Sequence, residues 1–138
     1  MYPYCVETEK TPVKLYPLKD GRFQMIQEGK LGPFMSGYNY LLVETKLAEY
    51  LENLNVEGTT FRDAVILDSS ENKEYHSHKE VIIGQHFSFA EINGINLDGD
   101  RILMMDNQYV FVSPSLKEKL EKSEFGYLQF SEGLSEFA

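Results

Sequence analysis

Tyr40-Leu41-Leu42-Val43-Glu44-Thr45-Lys46-Leu47-Ala48-Glu49-Tyr50-Leu51-Glu52 and Tyr109-Val110-Phe111-Val112-Ser113-Pro114-Ser115-Leu116-Lys117-Glu118-Lys119-Leu120-Glu121 decide the fold, because they read as two copies of one pattern. At a constant offset of 69 residues, Tyr40 meets Tyr109, Val43 meets Val112, and Leu47 meets Leu116. Glu49, Leu51, Glu52 and Phe61 likewise meet Glu118, Leu120, Glu121 and Phe130. Each copy reads as an apolar strand, a short amphipathic helix and a second strand. Equal apolar spacing predicts equal local structure. Two copies are too few for a solenoid. The expected fold class is therefore α+β, a mostly antiparallel sheet with two short helices in a repeated strand-helix-strand unit.

In the first copy Leu47, Leu51 and Leu54 fall at i, i+4 and i+7, one face of a helix. Lys46, Glu49, Glu52 and Asn53 take its solvent side. Thr45 is the expected N-cap, Asn55 and Gly58 end the helix, and Phe61–Leu67 returns as a strand. In the second copy Ser113 is the expected N-cap, with Pro114 at N1, where its missing N–H costs nothing. Leu116 and Leu120 face inward, Glu118 and Lys122 form an i, i+4 pair, and Gly126 stops the helix. Tyr127–Phe130 is the closing strand, and the tail from Ser131 is expected to fray.

Upstream, residues 1–35 read as irregular to β. Val13–Lys19 and Arg22–Gln27 should form a hairpin around Asp20-Gly21, a pair suited to positive φ. Pro17 removes a ladder donor and marks an edge strand. Gly29, Gly32 and Pro33 break regular structure. In the middle, Asp68–Lys73 is polar and turn-rich. Tyr75–His78 and Val81–Ile83 are candidate short strands, Asp98-Gly99 is a turn, and Arg101–Met105 is a strand. No linker or low-complexity segment divides the chain, so one domain over 1–138 is expected.

The 138 residues are 42% hydrophobic and 25% charged, ordinary for a globule that buries roughly 70% of its unfolded surface. No apolar run reaches the ~20 residues that span a bilayer, and Met1-Tyr2-Pro3-Tyr4 lacks a basic, then apolar, leader. With one cysteine, Cys5, no intramolecular disulfide forms. A cytoplasmic protein is expected. The net charge is −9 and uneven: residues 1–40 carry 4 acids and 5 bases, residues 41–138 carry 18 acids and 8 bases. That field repels nucleic acid, steers a basic partner, and also serves solubility.

Candidate chemistry is sparse. His76 and His78 would share one face of a strand, and His86 with Glu80 lies near in sequence, so a metal-binding or hydrolytic site is the alternative reading. Exposed histidines are the simpler one. Asp98, Asp100 and Asp106 do not fit the calcium-loop spacing and read as a carboxylate-rich turn. Cys5, at an expected frayed end, has no nucleophile signature around it. There is no nucleophile elbow, phosphate loop or dinucleotide fingerprint. No cofactor is expected, and the chain reads as a binding protein more readily than as an enzyme. Nine Tyr and nine Phe with no Trp supply core, rim and interface area.

Gly94-Ile95-Asn96-Leu97-Asp98-Gly99-Asp100-Arg101, then Val110-Phe111-Val112-Ser113 with its Leu-spaced helix, then Phe125-Gly126-Tyr127-Leu128-Gln129-Phe130 resemble the double-CxxCG-motif proteins. The chain is also similar to bacterial immunity proteins of polymorphic toxin systems, some of which end in a comparable strand-helix-Gly-strand unit. The resemblance covers roughly residues 38–132. The cysteine pairs of the double-CxxCG proteins are missing here, so their structural metal does not carry over, and no site residue is transferred. The resemblance implies a small cytoplasmic protein that binds and blocks a cognate toxin. Glu49, Glu52, Glu118 and Glu121, recurring on both helices, are the expected protein-binding acids for a basic toxin; ordinary solvated helix faces are the plainer account of them.

Overall fold

The computed structural model describes residues 1–137. Thirteen strands and two α-helices form three mostly antiparallel sheets, an α+β architecture dominated by sheet. The first sheet has the order β10-β11-β12-β1-β13, built from His86–Phe87, Ile102–Met105, Tyr109–Val112, Tyr4–Glu7 and Gln129–Glu132. The second is β2-β3-β7-β8, from Lys14–Pro17, Arg22–Gln27, Val65–Asp68 and Lys73–Tyr75. The third is β4-β5-β9-β6, from Phe34–Gly37, Tyr40–Glu44, His78–Ile83 and Thr59–Asp63. Helix α1 spans Thr45–Asn53 and α2 spans Pro114–Glu121. Among the strands of the described residues, β10–β11 and β3–β7 pair in parallel and the other pairs are antiparallel.

The continuous apolar runs explain the layering. A strand with alternate side chains in two cores cannot afford a polar face. Ile102 and Met104 enter the central core while Leu103 and Met105 enter a second core on the other side of the same sheet. Val110 and Val112 divide from Phe111 in the same way. In the third sheet Leu41 and Val43 face the central core, and Leu42 faces a third core with Phe23 and Ile66 of the second sheet. Both helices close the central core with Leu47, Ala48, Leu51, Leu116 and Leu120. The apolar helix spacing read from the sequence is thus the inward face.

Several local readings hold. Asp20 and Gly21 have φ of 60° and 75°, joining β2 to β3, and β2 with Pro17 lies at a sheet edge. Others are corrected. Phe34–Gly37 is a strand, turning back into β5 through Asn39 at φ 65°. The expected strand Phe61–Leu67 is two strands in different sheets, parted at Ala64. Thr45 is not the N-cap: Glu44 holds that position without a side-chain cap, and the Thr45 hydroxyl donates to Ser77 O at 3.1 Å. Ser113 is at the N-cap but its hydroxyl does not cap; it donates to Gly99 O at 2.7 Å and accepts from Arg101 N at 2.9 Å. Ser113 is fully buried, so it serves as a bolt between the Asp98-Gly99 turn and α2. The closing strand is shifted to Gln129–Glu132. The tail is held too: Gly133 N donates to Pro3 O at 2.8 Å, and the Phe137 ring lies 4.8 Å from that of Tyr109.

Candidate functional site

Side chains of α1 reach α2 and the residues that follow it. The Tyr50 hydroxyl donates to Lys119 O at 3.3 Å, the Tyr50 and Phe125 rings meet edge-on at 5.4 Å, and Lys46 reaches Glu124 at 4.0 Å. The outer faces of the two helices carry the four glutamates singled out in the sequence, all exposed. Three of them are engaged within the chain: Glu52 with Lys79 at 3.2 Å, Glu118 with Lys122 at 3.1 Å and Glu121 with Lys117 at 2.7 Å. Among the described residues Glu49 alone of the four has no ion pair. The helical surface is a mosaic of both signs, in which solvent screens each pair and a partner's charge can replace it at little cost.

The histidines do not assemble. The strand breaks between β8 and β9, so His76 lies exposed in the turn and shares no strand face with His78. His78 is buried, with Nε2 2.7 Å from Gly32 O and Nδ1 2.8 Å from Ser77 Oγ. Both ring nitrogens are spent on structure. His86 Nε2 is 2.9 Å from Ile83 O, at the start of another sheet. Glu80 is buried and bound by Arg62 Nε at 2.7 Å, a cross-strand pair in register between β6 and β9. No three His, Cys, Asp or Glu residues converge among the described residues. Cys5 is not at a frayed end. It is 2% exposed inside the first sheet, and burial, with Glu7 and then Glu136 adding repulsion, pushes its thiol up to about 12. A thiol so far from ionising is a poor nucleophile. Asp98, Asp100 and Asp106 do not converge either; Asp100 binds Lys119 at 2.6 Å and Ser115 at 2.8 Å.

A cleft of about 340 Å³ opens where the three sheets meet. Its origin is a divergence of strands. β1 stays paired with β13 from Tyr4 to Glu7 but with β12 only at Tyr4 and Cys5. Beyond Cys5 the two strands part, and the free edge of β4 forms the facing wall. One end is fixed by the Thr8 hydroxyl on Phe34 O at 3.2 Å, the other by Asn39 N on Asn107 O at 2.6 Å. Glu7, Glu9, Lys10, Tyr40 and Tyr109 are among its polar lining; Phe34, Met35 and Val13 are among the apolar walls. Burial raises the Tyr40 hydroxyl above its ordinary range, so it stays protonated and able both to donate and to accept.

Glu7 and Glu9 do not stand out in the sequence, where residues 1–35 read as irregular to β and β1 is not marked as a central strand. The alternation Glu7-Thr8-Glu9 was the available signal, since in an extended chain i and i+2 share a side. Scanned against models of protein families, against curated protein sequences and against solved structures, the chain matches none of them.

Proposed function

We propose that the protein is a non-enzymatic binding protein, an immunity protein that neutralises a cognate toxin of basic surface by direct contact. One observation carries the reading. Residues 41–138 hold 18 acids and 8 bases, and seven of those bases are tied into seven internal ion pairs. Among the described residues eleven acids are left without an ionic partner against one base, Arg101. Internal pairing therefore consumes nearly all local positive charge and leaves the negative charge for solvent or a partner. Such a field raises the on-rate for a cationic protein and falls off with salt. Toxins that cut nucleic acids carry the cationic surface this field selects. The adjoining helical faces with Glu49, Glu52, Glu118 and Glu121 are the proposed contact.

The test is a tagged pull-down from the native host at low and moderate salt, read by mass spectrometry. One stoichiometric basic partner, lost as salt rises, is expected. Retention of no partner by folded protein, with the candidate toxin expressed, would sink the reading. With a partner in hand, charge reversal at the four glutamates should slow association strongly at low salt; an unchanged rate removes them from the contact.

We further infer that the two strand-helix-strand segments are one unit used twice. Two features support it. In the order β4-β5-β9-β6 a hairpin leads into α1, and the strand after the helix returns beyond one inserted strand; β11-β12-β1-β13 has that order around α2. The helix contact also joins Tyr50 to Lys119, residues 69 apart. Replacing Ser115–Glu121 with the sequence of Lys46–Glu52 keeps both inward leucines, and cooperative unfolding should survive. Loss of the folded state would count against duplication.

A further inference from the structure

We infer that the cleft between β1, β12 and β4 is a binding site for an alkyl-guanidinium or alkyl-ammonium group carried on an apolar stem. The inference does not depend on the identity of any toxin. Four features of the cleft combine. Its volume, about 340 Å³, lies within the range of small-ligand sites, though near the lower end. Its charged groups are uncommitted: among the described residues the side chains of Glu7, Glu9 and Lys10 make no ion pair and no hydrogen bond, and neither do the Tyr40 and Tyr109 hydroxyls, whereas the Thr8 hydroxyl donates to Phe34 O. In a second hollow, between Glu28–Leu31 and Asp68–Glu71, Glu28 Oε1 and Asp68 Oδ1 instead both lie within hydrogen-bond distance of the Ser70 hydroxyl, at 2.6 and 2.7 Å.

The third feature is sign. Two carboxylates against one ammonium leave the lining net anionic, on a chain of net charge −9. A carboxylate binds a guanidinium or ammonium through short, charge-assisted hydrogen bonds. The fourth is the wall chemistry. Phe34, Met35 and Val13 offer apolar surface to a methylene stem, and Tyr40 and Tyr109, whose rings pack on Phe23 and Phe137, add their hydroxyls to the lining. The cleft lies at the meeting of three sheets, with β1, β4 and β12 forming its walls and the Thr8–Thr11 segment its charged rim.

The probes are agmatine, N-acetyl-L-argininamide and, as the neutral isostere, N-acetyl-L-norleucinamide. Amide chemical shifts are followed by NMR during titration of the intact chain. The two cationic probes should give saturable shifts at Glu7–Thr11 and Ser36–Tyr40, and the neutral probe none. Glu7→Gln with Glu9→Gln should weaken binding by about tenfold, the scale of one charge-assisted contact. Lys10→Glu should tighten it several-fold, a change that damage to the fold cannot mimic. Binding by agmatine but not by the peptide amide assigns the site to free amines; binding by both assigns it to a side chain of a protein partner as well. Absence of saturable shifts, equal binding of the neutral probe, or an unchanged constant in both charge variants overturns the inference. Each of these is read without the toxin, so failure here leaves the immunity reading standing and the reverse holds too.

Discussion

Tyr50 of α1 and Lys119 of α2 are joined by a 3.3 Å hydrogen bond from the tyrosine hydroxyl to the lysine carbonyl. It is made at an exposed position and ties helix to helix across the central core. The ring does more than the hydroxyl, because it packs edge-on against Phe125, itself buried. Tyr50→Phe should therefore cost about 1 kcal/mol or less, and Tyr50→Ala about 2–4 kcal/mol. Urea unfolding at neutral pH measures both. Equal losses would mean that the hydroxyl, not the ring, carries the contact.

The Arg62–Glu80 pair is asymmetric: the Glu80 side chain is 9% exposed, that of Arg62 46%. Removing the arginine strands a buried carboxylate opposite Leu42. Arg62→Ala should cost about 1–3 kcal/mol, and pairing it with Glu80→Leu should recover part of that loss. A single variant as stable as the native protein would show that water already satisfies Glu80.

Ser113 stands at a helix N-cap but acts as a buried bridge between Gly99 O and Arg101 N. Ser113→Ala leaves both groups without their partner. The expected cost is about 1–3 kcal/mol, and faster hydrogen exchange should concentrate at Gly99–Arg101 more than along α2. Exchange rising in the first turn of α2 instead would restore the capping role.

Cys5 gives a pH prediction with a definite sign. The native thiol holds its proton to about pH 12, against an ordinary value of 9.0 in the open chain. Above pH 9 the unfolded state therefore binds fewer protons than the native one, so stability is full below pH 9 and falls as pH rises toward 12. Burial also raises Tyr40, and burial with the Glu44 carboxylate beside it raises Tyr127. Both act in the same direction at higher pH. Cys5→Ala should flatten the fall between pH 9 and 10.5. In the native protein a disulfide reagent at pH 8 should label Cys5 only at the rate of unfolding; fast labelling would place the thiol at the surface.

The sequence by itself determined the local elements. Leucine spacing set the inward faces of both helices, Asp20-Gly21 set the first hairpin, and the unbroken apolar runs at 40–43, 102–105 and 109–112 set strands with no wet face. These follow from periodicity and turn chemistry, which act over a few residues. What only the tertiary structure decided is partnership. Nothing local says that Tyr4–Glu7 inserts between β12 and β13, since that pairing joins residues more than a hundred positions apart. Cys5, Glu7 and Glu9 were therefore illegible as a core residue and two cleft acids. The histidine set failed for the same reason: a strand break after Tyr75 and a carbonyl from Gly32 gave His78 a buried structural role. The four helix glutamates were placed on the surface by helical period alone, and the lysines of Glu118 and Glu121 lie one turn away on the same helix, but the pairing of Glu52 with Lys79 was settled by how α1 packs on β9. Periodicity tells which side of an element faces inward; the charges it meets there and outside depend on chain crossings that only the folded molecule fixes.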